Sequence, residues 1–379
     1  MAFFNGNSWV RNILLGVAVC LIAGRVRLTA QTPYGFDQIS AEAAAAREQG
    51  DVPHAIQLYS EAVKLNSKWA DGWWFLGSLD YGAGSYADAR DALNHYLELT
   101  PDAPPALALR GLCEFEIGEN QQSLSDIEKA IAMGAANQSR NEQILRYHEG
   151  LLLTRMERFD EALKAYSFFA QKGISSPELF IAIGLAGLQM PIQPKDASAD
   201  LQELLTGAGG AVYQFQSGDQ AGAAKSFQNL FQKFPTTANL HYLYGTLLYS
   251  TDPDSSIGEF EKELEVNPEN QQAQVMVPWA LLMKDRAQDA LPYAKQVAAA
   301  QPKVAAAQLV LGRALAETGD LAAGIQHLEQ ALRLEPNNLE IHIALAKAYS
   351  RSGRDQDARR ERMLCLQMTK DEGSHIAQR

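Results

Sequence analysis

An all-α solenoid of stacked helix–turn–helix hairpins is the fold this sequence predicts, and three observations predict it. Gly50, Gly84 and Gly118 stand 34 residues apart, as do Gly319 and Gly353, and as do Pro268, Pro302 and Pro336. Between these marks apolar residues recur at helical spacing, as in Leu309, Leu311, Leu315 and Ala316 before Gly319, then Ile325, Leu328, Ala331 and Leu332 before Pro336. No alternating β-branched segment competes with that pattern. A fixed period of this length means one two-helix unit used many times, each copy burying the apolar face of the next.

Each mark has a mechanical role. A glycine after a helical run supplies the left-handed residue that closes the helix and satisfies its last carbonyls. The series Gly77/Gly111 and Gly150/Gly184 falls inside helical runs. Glycine there costs about 1 kcal/mol relative to alanine, so its recurrence predicts close helix approach. A proline at a fixed place after each second helix ends that helix and sets the turn into the next.

Residues 1–30 read as an address. Arg11 precedes an uncharged run over residues 13–24, which is short for a permanent span of about 20 apolar residues. The run fits the core of a secretory signal, with Ala30 as the small residue before cleavage. Leu28 and the charges of Arg25 and Arg27 keep an uncleaved membrane anchor over residues 9–24 as the alternative. Either reading places the rest of the chain in an exported compartment, periplasmic or secreted. A first array of hairpins then occupies residues 36–176. Residues 178–190 read as a further first helix, but Pro191, Pro194 and the glycine-rich run 207–210 crowd the next segment. A degenerate repeat over 177–203, an irregular break near 190–210 and a bend are expected there. A second array occupies residues 204–354. Residues 355–379, with Arg359, Arg360, Glu361 and Arg362, suit a polar capping helix and tail.

Composition narrows the function. The chain has 33 basic and 45 acidic residues and a net charge of −12, which argues against a nucleic-acid binder needing a basic face. Cys113 and Cys365 are far apart, and no His or Cys has metal-ligand spacing. Phosphate-loop and nucleophile-elbow motifs are missing. Glu259/Glu261 and Glu263/Glu265 read as the solvated face of a helix, and Asp252-Pro253-Asp254 as a turn with a helix cap. No catalytic constellation, cofactor, metal or small-molecule substrate is therefore expected. An unrecognised hydrolase or transferase site near Asp196 or Asp200 is the enzymatic alternative, with no polar triad behind it.

Aligned on the period, the repeats resemble the tetratricopeptide repeat (TPR) family. Trp73, Leu76, Gly77, Ala89, Leu93, Tyr96 and Pro101 form the fullest copy, and Leu311, Gly312, Leu315, Gly324, Leu328, Ala331 and Pro336 another. Further copies run through Leu107/Gly111, Gly150/Tyr166, Ala223/Phe227, Gly245/Phe260 and Ala290/Ala294, with Pro278 standing where the first-helix glycine belongs. The resemblance implies a right-handed solenoid and a non-enzymatic scaffold that binds peptide or protein segments on the face lined by the first helices. Carried over by position, that face holds Trp74, Tyr81, Phe115, Tyr147, Phe215, Tyr242, Tyr249 and Trp279. Trp74 and Ser78 stand where a Lys/Asn carboxylate clamp would be, so that clamp is not expected. The same aromatics can instead fill contacts between neighbouring repeats, the favoured reading for Tyr147 and Phe215. His241 and His342 fall at the bulky first-helix position and are expected to pack. An envelope assembly factor held by residues 9–24 is the alternative function.

Overall fold

The computed structural model describes residues 34–135 and 139–377, so the expected signal or anchor over residues 1–30 lies outside the described residues. Among the described residues there are 19 α-helices and no strand, and no helix is long and apolar enough to cross a membrane. The helices belong to two compact units. Of the described residues, one comprises those up to Ala186 plus Met190–Ala197, the other Gly187–Gln189 and those from Ser198 onward.

The first unit stacks four hairpins: α1 (Tyr34–Gln49) with α2 (Val52–Leu65), α3 (Ala70–Ala83) with α4 (Tyr86–Leu99), α5 (Pro104–Ile117) with α6 (Asn120–Ala132), and α7 (Ser139–Arg155) with α8 (Phe159–Lys172), followed by α9 (Pro177–Gly187). The periodic glycines do what their spacing predicts. Gly84 takes φ 81° and donates to the carbonyls of Asp80 and Tyr81, closing α3. The apolar stripes meet between hairpins: Leu58, Tyr59 and Val63 of α2 pack with Leu76 and Leu79 of α3. Tyr59 also stacks on Trp69 with ring centroids 5.7 Å apart.

The second unit stacks α10 (Ala199–Gln216) with α11 (Gln220–Lys233), α12 (Leu240–Leu248) with α13 (Pro253–Val266), α14 (Gln271–Met283) with α15 (Ala287–Ala300), α16 (Ala305–Thr318) with α17 (Leu321–Leu334), and α18 (Leu339–Arg351) with α19 (Asp355–Ala377). Side-chain caps start several of these helices; the Asp320 carboxylate accepts from the Ala323 N–H at 3.1 Å. The periodic prolines come just after the last turns, where the Gln301 N–H closes α15 onto the Val297 carbonyl at 2.7 Å immediately before Pro302. The in-helix glycine Gly312 touches its partner helix: a Cβ there would lie 2.7 Å from Leu328 Cγ and 2.9 Å from the Gly324 carbonyl oxygen.

Three features differ from the sequence reading. The irregular backbone is confined to residues 188–198, with a 3-10 turn at Pro194–Asp196, and Gly207, Gly209 and Gly210 lie inside α10. Gly207 is accommodated because α10 packs closely on α11 there, Leu230 Cδ2 filling the space its side chain would need, 2.8 Å from its Cβ position. The capping helix α19 runs to Ala377 and is not uniformly polar, since Met363, Leu364 and Leu366 are exposed on it. Glu259 and Glu263 are not solvated. Both are buried, Glu263 completely, whereas Glu261 and Glu265 face water. The reason is that α12 starts over this face of α13 and needs acceptors there.

Buried acids in the first unit repeat with the same period. Asp80 of α3 and Glu114 of α5 are 34 positions apart, and both are buried. Burial, with Asp88 nearby, pushes the Asp80 carboxyl up to about 6. Burial, with Asp126 as the next cause, pushes Glu114 up to about 7. Arg110 gives little relief, because its guanidinium is committed to Asp126 at 2.6 and 2.9 Å and stands 3.8 Å from Glu114. His148 goes the other way. Burial lowers it to about 4, and its Nδ1–H donates to the Ile144 carbonyl at 2.8 Å.

These shifts set a pH profile. As pH rises from about 4.5 to 7 the unfolded chain releases the Glu114 proton while the folded chain keeps it, so stability is lost on the order of 3 kcal/mol. His148 opposes this, since stability is lost as pH falls from 6.5 to about 4, where only the unfolded chain is protonated. Glu114→Gln is therefore expected to gain stability over the parent progressively between pH 4.5 and 7.5. Hydrogen exchange at the α5 amides reads this, and a pH-independent difference would refute the assignment.

Candidate functional site

The eight first-helix aromatics separate into two kinds. Trp74, Tyr81, Phe115, Tyr147 and Tyr242 are buried. Each has aromatic or cationic neighbours within its own unit. Trp74 meets Tyr96 at 5.6 Å, and Tyr81 meets Tyr86 edge-on at 5.5 Å. Phe115 lies under the Arg155 guanidinium at 4.0 Å, Tyr147 meets His148 at 5.9 Å, and Tyr242 meets Phe260 at 5.7 Å. Phe215, Tyr249 and Trp279 keep accessible surface.

The structure brings Tyr249 and Trp279 together. Trp279 Nε1–H of α14 donates to the Tyr249 hydroxyl oxygen, beyond the end of α12, at 2.8 Å. Burial raises the Tyr249 phenol above its ordinary value, so it stays protonated at neutral pH. Over the indole ring stands Arg313 of α16, its guanidinium carbon 5.1 Å from the ring centroid. Arg313 also lies 3.6 Å from Glu317, which pairs with Lys347 of α18 at 3.4 Å. Direct contacts of α14 with α16 and of α16 with α18 make these first helices one continuous face.

Arg313 and Lys347 were missed as face residues by reading aromatics alone. The signal was present: Trp279, Arg313 and Lys347 are successively 34 positions apart, so one phase of the repeat changes from aromatic to cationic along the face.

Beside this row, nearer the starts of α12, α14 and α16, lies a cavity of about 570 Å³. Its apolar lining includes Val275, Met276, Val304 and Ala306, and its polar lining includes Asn239, Asn270 and Gln301. Asn239 sits at φ 67° before α12 and makes no cap with its own side chain. The Glu263 carboxylate substitutes for that cap, accepting from the Asn239 N–H at 2.7 Å and the Tyr242 N–H at 3.2 Å. Asn270 Nδ2 donates to Asn239 Oδ1 at 3.0 Å and to Glu263 at 3.3 Å, and Asn239 Nδ2 donates to the Leu188 carbonyl at 3.0 Å.

The histidines at the bulky first-helix position pack, with polar closure. His241 stacks on Phe231 with centroids 4.0 Å apart and pairs with Glu259 at 2.7 Å. His342 is held between Glu361 at 2.6 Å and the Pro336 carbonyl at 2.9 Å, joining α18 to the capping helix. Among the described residues no group of His, Cys, Asp or Glu is arranged to hold a metal ion. Cys113 is buried and Cys365 half-buried, and neither is in a disulfide.

Tetratricopeptide-repeat profiles match residues 40–104, 76–140 and 279–338, and a second such profile matches 316–361. A segment of 68 residues is 38% identical to cellulose synthase 2 operon protein C of Komagataeibacter xylinus; it is 18% of this chain and only 5% of that protein's length. Solved structures similar in fold include MamA, residues 41 to the end, from Desulfovibrio magneticus RS-1, with 22% identity and a TM-score of 0.40 over 46% of this chain and 98% of that one. YrrB, described as a TPR protein with an unusual peptide-binding site, is similar at 16% identity and a TM-score of 0.37, over 44% of this chain and 86% of its own. With its period, its glycine and proline marks and its stacked hairpins, the chain carries tetratricopeptide repeats, matched by family profiles over residues 40–140 and 279–361.

Proposed function

We propose that this protein is an exported, non-enzymatic scaffold that captures a polypeptide segment on the first-helix face of its second unit. The observation that carries the reading is the row Tyr249, Trp279 and Arg313. An indole held at its N–H by a hydrogen bond and covered over its ring by a guanidinium is a partly exposed, positioned aromatic of the kind that dominates binding energy. Lys347, exposed and paired with Glu317, extends the row with a second cation. The Tyr249 O–H has no acceptor given by the described contacts and is available to a partner's carbonyl. Export rests on the uncharged run over residues 13–24 and Ala30, and the mature chain would begin at Gln31.

The test uses the chain purified from its own cells and a Trp279→Ala variant matched in helicity. An intact mass beginning at Gln31 is expected. Cross-linking on the native envelope should yield a partner whose affinity the variant loses by about 2 kcal/mol, roughly thirty-fold. Equal affinity for parent and variant would remove Trp279 from the binding face. A mass retaining residue 1 would turn the reading toward a tethered assembly factor.

A further inference from the structure

The cavity beside the aromatic row has two layers of carboxamides with different roles. The inner ones are spent. Asn239 and Asn270 are tied to Glu263, to each other and to the Leu188 carbonyl, and Gln301 Nε2 donates to Gln274 Oε1 at 2.8 Å. These bonds fix the wall before anything binds, so little ordering is left to be done on association. The outer ones, Gln189, Asn267, Gln271 and Gln272, also line the cavity, and the described contacts give their side chains no hydrogen bond. Gln271 and Gln272 are exposed at the start of α14.

A free carboxamide offers one N–H₂ donor and one C=O acceptor, the same two functions that a peptide group carries. The lining holds no Lys or Arg, and its one charged residue is Glu269. A ligand carboxylate would therefore enter without a counter-ion and against Glu269, and an ammonium would have that single exposed acid. Val275, Met276, Val304 and Ala306 supply apolar lining among the amides. Tyr242, the aromatic in the lining, is buried and presents no open ring face of the sort a sugar stacks on.

We infer that this cavity receives an uncharged, extended segment from the interior of a partner chain, its backbone amides meeting Gln271, Gln272 and Asn267 and a small apolar side chain resting on Val275 and Met276. This rests on the reading that the second unit's first-helix face captures polypeptide, and adds the chemical class. The terminal carboxylate and the acidic peptide are excluded as occupants. An extended chain fits because it alternates its side chains, placing one toward the apolar lining while backbone groups on either side reach the amides.

The experiment pans a random octapeptide library, displayed with both ends inside a longer chain, on the full protein, on Trp279→Ala and on Gln271→Lys/Gln272→Lys. Both glutamines are exposed, so the double variant should unfold as the parent does. The parent is expected to enrich peptides with three or more consecutive uncharged residues. A synthetic copy, acetylated and amidated, should bind the double variant at least ten-fold more weakly, and the double variant should itself enrich peptides containing Asp or Glu. If the parent's peptides depend on Trp279 but are charged, or bind the double variant equally, the chemical class is wrong while the capture face stands. If the parent enriches nothing beyond what Trp279→Ala enriches, both fall.

Discussion

Glu263→Ala is expected to destabilise the second unit by about 3 kcal/mol, read as a shift in urea unfolding together with hydrogen exchange at α12. The side chain is fully buried and its two oxygens accept from the backbone N–H groups of Asn239 and Tyr242 and from Asn270. Removing it orphans two backbone donors at a helix start, each costing roughly 1–3 kcal/mol when buried. The two costs overlap, because water admitted to the vacated space reaches both. Glu263→Gln keeps one acceptor and should recover part of the loss. Full retention of stability in Glu263→Ala would mean the carboxylate is incidental to the α12 start. The cavity wall should loosen with it, since Asn270 and Asn239 are held through the same carboxylate.

Gly312→Val should cost more, about 4 kcal/mol, and raise the exchange rate of amides in both α16 and α17. Its Cβ would sit 2.7 Å from Leu328 Cγ, 2.9 Å from the Gly324 carbonyl oxygen and 2.9 Å from the Leu328 nitrogen. Two of those three neighbours are backbone, so no rotamer change relieves the overlap and the helices must separate. That separation would unpack Leu328 and Ala331, which are fully buried. Gly82 is the internal control. It is exposed within α3 with nothing within 4 Å of a Cβ, so Gly82→Ala should leave stability unchanged or raise it by up to about 1 kcal/mol. A mild effect at Gly312 equal to that at Gly82 would contradict close helix approach as the reason for the glycine series.

How far the sequence could be read depends on the kind of contact. Gly84 and Gly319 were legible because a left-handed backbone at a helix end is a local requirement, and Pro302 and Pro336 because they recur just past the last turn of a second helix, whereas the isolated Pro278 and Pro292 are carried inside α14 and α15. Gly312 was legible through its recurrence, since only an inter-helix contact repeated from hairpin to hairpin makes a mid-helix glycine return on schedule. The candidate site was legible less evenly. Trp279 and Tyr249 were visible as first-helix aromatics, whereas Arg313 and Lys347, in the same phase as Trp279, were hidden by their charge.

The sequence by itself determined the hairpin, its 34-residue period, its caps and its turns, because each depends on residues within one or two turns of one another. Tertiary structure alone decided which polar residues the stack encloses. The acids of α13 alternate as Glu259, Glu261, Glu263 and Glu265, and nothing local marks two of them for burial. Glu263 is enclosed because α12 begins against it with its own cap residue in a left-handed conformation, leaving N–H groups that need a charge from the neighbouring helix. Burial of an acid is a property of what packs over it, and in a solenoid that is another helix of the stack rather than the residue's own neighbours in sequence.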